Sequence, residues 1–196
     1  MIAPRRTAIL LLVTLLAGCR SSPPKHFYVL DPIPAQERST AATGTVVQVA
    51  AVNIPASLDR QEMVREGANG SLQISDINRW GAPLADMTQN VLTRDLTARL
   101  PAGAVLPPRT NAPPGTLEIT VDLLQFGRDA TGNVVLDGGW ALYHLGSDTP
   151  VMNRQVKLSE GGSTDYASQV QAMSRLLGRM ADDIVRGGLR PGDGSP

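Results

Sequence analysis

Residues that commonly carry chemistry are scarce in this chain. Its 196 residues include two histidines, His26 and His144, and a single cysteine, Cys19. Metal centres are assembled from several such ligands at short spacing, so no metal site is expected. An excess of one charge is missing as well: 18 Lys+Arg face 18 Asp+Glu. Without a broad basic field to gather a phosphate backbone, nucleic acid is not an expected partner. No Gly-rich phosphate loop is present, because "GANGS" and "DGGWAL" lack the lysine and the strand-turn-helix context that such loops use. A serine hydrolase would need a G-x-S-x-G elbow or a serine with a reachable histidine, and neither appears. His26 opens one apolar segment and His144 closes another, where histidines are commonly half-exposed polar groups. Asp182 and Asp183 are neighbours in a helical stretch, so they point in different directions and read as a solvated face. No catalytic residue and no cofactor are expected, and the chain does not read as an enzyme.

What is present is foldable. Hydrophobic residues make up 42% of the chain and aromatics only 4%, which predicts one domain around an aliphatic core. The uncharged run from Thr7 to Leu16 is about half of the ~20 residues a membrane-spanning helix needs. Two positive charges, Arg5 and Arg6, precede it, and the small pair Ala17-Gly18 follows, which is the layout of a secretory signal peptide.

That signal ends on a cysteine, and "LAGC" (16–19) resembles a bacterial lipobox. The resemblance implies a diacylglyceryl group on the Cys19 sulfur, cleavage between Gly18 and Cys19, and acylation of the new amino group. A lone thiol in an oxidising compartment would be unusual, and lipidation removes the anomaly. Three acyl chains at ~0.8 kcal/mol per buried CH₂ exceed what stable anchoring requires. Arg20, where an aspartate would signal inner-membrane retention in enterobacterial lipoproteins, favours the inner leaflet of the outer membrane, facing the periplasm. Cleavage removes Arg5 and Arg6 but no acid, leaving 16 basic against 18 acidic side chains, a net charge of −2.

The expected organisation is a signal peptide over 1–18, a lipidated N-terminus and linker over 19–25, a domain over 26–188 and a flexible tail over 189–196. Within the domain, "HFYVL" (26–30) and the β-branched run over 46–54 read as strands. Met63-Val64 and Leu72-Gln73-Ile74 flank the turn signal Asn69-Gly70, which predicts a hairpin. A helix is predicted over 83–100, with Pro83 in its first turn and Pro101 beyond its end. Leu117, Ile119, Val121 and Leu123 alternate with polar residues, and with 134–145 and 151–158 they predict an antiparallel three-stranded meander. Gly138-Gly139 in its middle strand suggests a bulge or a close backbone approach. Tyr166, Val170, Met173, Leu177, Met180 and Ile184 step by three and four from a Ser163/Thr164 cap to Gly187-Gly188, a core-facing helix. The fold class is therefore α/β in the broad sense, more strictly α+β: a single domain with a mixed β-sheet, the meander and two main helices packed on it.

Arg79-Trp80, just ahead of the first helix, admits two readings: a core anchor, or an aromatic-plus-arginine contact for a partner. At this point the motifs converge. "FYVL" soon after the cysteine, "VNIPASLDRQEMVRE", and "RWGAPL" with the helix behind it resemble the ABC-type transport auxiliary lipoprotein family, the PqiC/YmbA-like lipoproteins, over about 26–188. Where the family's usual pattern is "RPQIV", this chain has Arg60-Gln61-Glu62-Met63-Val64 and lacks that proline, and where the family has "RWAEPL", it has Gly81-Ala82. The resemblance implies a non-enzymatic, membrane-anchored component of an envelope lipid transport machine. Its implied partners are a periplasmic MCE-domain protein with an inner-membrane permease and ATPase, and further copies of itself in a homo-oligomer. A lipid-anchored envelope hydrolase and a lipid-binding carrier lipoprotein are the alternatives.

Overall fold

The computed structural model describes residues 23–35, 45–162 and 164–189. The signal segment, Gly18, Cys19, Ser163 and residues 190–196 of the expected tail lie outside the described residues.

The long strand β6 (Leu117–Arg128) organises the sheet. Along one side it pairs antiparallel with β7 (Val134–His144), which pairs antiparallel with β8 (Pro150–Glu160), so the predicted meander is present. The other side of β6 is shared. β2 (Val47–Asn53) runs parallel to its first half, and β3 (Glu62–Glu66) joins it in parallel at Arg128. Beyond β2 lies the two-residue β5 (Val105–Leu106), which the sequence pattern did not announce. Beyond β3 come β4 (Leu72–Trp80), its antiparallel hairpin partner, and then β1 (His26–Tyr28), parallel to β4 and at the edge. The hairpin turns where Asn69 and Gly70 adopt φ of 59° and 73°, the left-handed conformation that Asn-Gly supplies at low steric cost.

Two helices cover one face of this open sheet. Helix α1 (Leu84–Arg99) lies against β2 and β5, and helix α2 (Tyr166–Gly188) lies against β6, β7 and β8, with the helices packed on each other. The core sits between: Ile119, Val121, Leu136, Trp140 and Leu142 from the strands meet Leu92 and Leu96 of α1 and Met173, Leu177 and Ile184 of α2. The other face carries Asp122, Asn153, Gln155 and Lys157, exposed and polar, which is the alternation expected of a sheet packed on one side only.

Two local expectations change. Helix α2 is capped by Asp165, not by Ser163 or Thr164. Its carboxylate accepts from the Ser168 amide at 2.8 Å, and the Ser168 hydroxyl lies 3.4 Å from the Asp165 amide, a capping box. Pro83 is the N-cap of α1 and does not lie inside its first turn. The glycine pair is used as expected: β6 bulges between Leu123 and Gln125, opposite Gly138, and a Cβ at Gly138 would lie 2.3 Å from the Asp122 carbonyl oxygen.

A strap crosses the two helices. The Asp31 amide donates to Ser174 Oγ at 3.1 Å, and the Ile33 amide donates to Asp95 Oδ1 at 2.7 Å. Arg99 donates from Nη1 to the Ile33 carbonyl at 3.2 Å and from Nε to Asp182 at 2.5 Å. Asp182 and Asp183 are therefore not merely a solvated face. Asp182 pairs with α1, while Asp183 accepts from the Trp140 indole at 2.9 Å and pairs with Arg154 at 3.1 Å. They do point in different directions, as adjacent helical positions must.

Candidate functional site

His26 lies on the edge strand β1 and His144 at the end of β7, with β4, β3 and β6 between the two strands, and the fold does not bring them together. Among the described residues no cluster of three or more His, Cys, Asp or Glu is arranged to hold a metal ion. No helix among them is long and apolar enough to cross a membrane.

What the fold does bring together is the set of motifs over 27–30, 52–66 and 79–84. The segment "PASLDRQE" (55–62) links β2 to β3 in a tight turn, with the Leu58 and Asp59 amides donating to the Pro55 carbonyl at 2.8 and 3.0 Å. It sets the start of β3 beside the end of β4, where the Trp80 amide donates to the Gln61 carbonyl at 2.8 Å. On the far side of β4, the Gly81 amide donates to the Tyr28 carbonyl at 2.8 Å. The strand register then places Phe27, Arg79 and Glu62 in one row across β1, β4 and β3.

That row faces away from the helices. Arg79 donates from Nη1 to Gln61 Oε1 at 2.7 Å and pairs with Glu62 at 3.3 Å, while Arg60 holds the other Glu62 oxygen at 3.1 Å. A backbone amide hydrogen bond at Glu62 itself, then the Arg60 guanidinium, hold this carboxyl below the usual carboxylate range. Buried Arg79 Nε has no hydrogen-bond partner.

The two readings of Arg79-Trp80 separate by face. Trp80 is 3% exposed and belongs to the core, so it offers no surface for a partner contact; Arg79 is on the outer row. The exposed aromatic beside Arg79 is Phe27, at 60% exposure, with Val29 next to it at 54%. Sequence reading missed both because "HFYVL" looks apolar throughout, and no local signal announces which strand face a three-residue edge strand leaves bare. Leu72 and Ile74 are exposed near the hairpin end of β4, and Leu124 is exposed at the bulge of β6.

Residues 28–185 match the model of a protein family described as ABC-type transport auxiliary lipoprotein component. The chain belongs to that family. The family is a transport component and is not described as an enzyme, and its description carries the lipoprotein character expected of a bacterial envelope protein. Among curated proteins, none matches the chain. Two solved structures share the family member's architecture. One, a crystal structure of an uncharacterized protein, is 22% identical with a TM-score of 0.70, covering 84% of this chain and 98% of that one. The other, a protein from Xanthomonas campestris, is 19% identical with a TM-score of 0.60, covering 82% of this chain and 92% of that one. At such identity these neighbours speak for the fold alone.

Proposed function

We propose that this protein is the lipid-anchored periplasmic auxiliary component of an ABC/MCE-type transport system, tethering or receiving the outer-membrane end of a path for lipids or other apolar molecules. The observation that carries the reading is the family match over 28–185. The meeting of its three motif segments at one corner of the sheet supports it, because a shared corner without catalytic groups suits docking better than chemistry. In this reading Cys19 carries the lipid, the partners are an MCE-domain protein with its permease and ATPase, and Arg79 contributes to the docking surface. Copies of the chain assemble into a homo-oligomer.

The test is affinity purification of the full chain from envelope membranes. Recovery of an MCE-domain protein is the expected result, and Arg79→Ala lowers its yield while leaving the thermal midpoint unchanged. Recovery of no transport component at any detergent strength would sink the proposal.

A further inference from the structure

The edge at β1 leaves an apolar pair uncovered. Phe27 and Val29, two residues apart, face outward while Leu30 turns into the core and Tyr28 is half-buried. Val29 is seated against Gly81, where an added Cβ would come within 3.0 Å of its Cγ1. Exposed Lys25 and His26 precede the pair, and the Arg79–Glu62 ion pair stands in register with Phe27, so an apolar centre is rimmed by polar and charged groups. A rimmed apolar patch marks a contact with a partner or a membrane.

Chain length chooses between them. Cys19 precedes Phe27 by eight residues, and eight fully extended residues span at most ~29 Å, so a lipid on Cys19 holds this edge close to its bilayer. Such a short tether makes contact intramolecular in effect, and a weak apolar patch then suffices for docking. Resting on the reading of Cys19 as the lipid-bearing residue, we propose that the β1 edge docks on the bilayer holding the anchor. Phe27 and Val29 enter the boundary between headgroups and acyl chains, and Lys25 stays at headgroup level, its aliphatic stem along the apolar surface, while Arg79 remains paired with Glu62 and Gln61. The sheet then stands with β1 toward the membrane and β8 away from it, which orients the domain as well as anchoring it.

Phe27→Trp supplies the probe, because Trp80 and Trp140 are 3% and 2% exposed and respond little to surface contacts. The lipidated full chain is reconstituted into phosphatidylethanolamine and phosphatidylglycerol vesicles, with Leu72→Trp, at the other end of β4, as the comparison. Lipids brominated near the carbonyl end of the acyl chain should quench position 27 at least about twofold more than position 72, and aqueous iodide should show the reverse order. Protein that sediments with vesicles while iodide reaches both positions equally would overturn the docking and leave the anchor standing. Protein that does not sediment at all would overturn the anchor reading and this inference with it. Iodide quenching at position 27 that disappears only as protein density rises would give the edge to a second copy of the chain instead.

Discussion

Among the described residues, Asp95 is the most completely buried carboxyl. Its side chain is fully buried, one oxygen accepts the Ile33 amide, and Oδ2 has no hydrogen-bond partner. Burial pushes its carboxyl up to about 6; the Ile33 amide and Arg99 oppose this, while Asp182 adds to it and Arg94, the preceding residue, opposes it. A carboxyl raised from 3.8 to about 6 binds a proton in the folded state that the unfolded chain has lost. Folding stability therefore falls as pH rises through that window, by roughly 3 kcal/mol at most. Asp95→Asn keeps an acceptor for the Ile33 amide and removes the titration. Denaturant unfolding between about pH 4 and 7 should show a flatter stability profile in the variant than in the wild type, and an unchanged slope would assign it to another group. Gly138 is limited by sterics in place of charge. An alanine Cβ would sit 2.3 Å from the Asp122 oxygen and 2.8 Å from the Leu123 Cα, both backbone atoms of the paired strand. Gly138→Ala should cost about 3 kcal/mol or more, whereas Gly70→Ala, in open space at a positive φ, should cost about 1 kcal/mol. Equal midpoint shifts in urea would show that the bulge yields. The glycine pair was legible in the sequence as a close approach; Asp95 was not, because a buried aspartate on a helix reads as surface until its strap is known.

Among the elements, both helices and the meander were legible because their signals are local: apolar steps of three and four, strict alternation, and short turns. The placement of β2 and β3 on the same side of β6 was not. It depends on parallel pairings across about 60 to 70 residues of chain, and no periodicity encodes those. The boundaries of α2 illustrate the same divide. Its stripe from Tyr166 to Ile184 was plain, yet the polar residues ahead of it read as a Ser163/Thr164 cap, and only the hydrogen bonds choose Asp165. Hydrogen bonds from the Ser168 amide, first, and the Ser168 hydroxyl hold the Asp165 carboxyl below its usual range, so the contribution of the cap is present at neutral pH and fades as pH falls below the ordinary aspartate range. Asp165→Ala should lower the thermal midpoint by a few degrees at pH 7 and by less at pH 3, with Asp165→Asn retaining most of the effect. A midpoint loss independent of pH would point to packing at the helix start instead of the cap. Arg65 reinforces this end from the sheet, stacked 3.7 Å over the Tyr166 ring and donating to Gln169 at 2.7 Å.

At the scale of the whole molecule, the candidate site was half legible. Its three motifs were visible as separate stretches, and Arg79 was singled out, but their meeting at one corner requires β1 to cross to β4 over about 50 residues. The proposed location, by contrast, rests on Cys19 as the lipid-bearing residue, in a segment outside the described residues. Cys19 stands four positions ahead of Pro23, where the described residues begin, and the buried core cluster among those residues runs from Leu30 to Leu189. Cys19→Ser should therefore leave the folded domain and its thermal midpoint unchanged while removing every acyl chain. At ~0.8 kcal/mol per buried CH₂, even one chain contributes far more membrane affinity than Phe27 and Val29 together. The unlipidated protein should move from the carbonate-resistant membrane fraction to the soluble periplasmic extract, because a weak apolar patch without its tether does not hold a domain on a bilayer. Docking by β1 should then be lost along with anchoring, whereas Phe27→Asp in the lipidated protein should change orientation alone and keep the chain in the membrane fraction. A Cys19→Ser protein that stays with membranes after carbonate washing would show that something other than lipid at residue 19 holds it there.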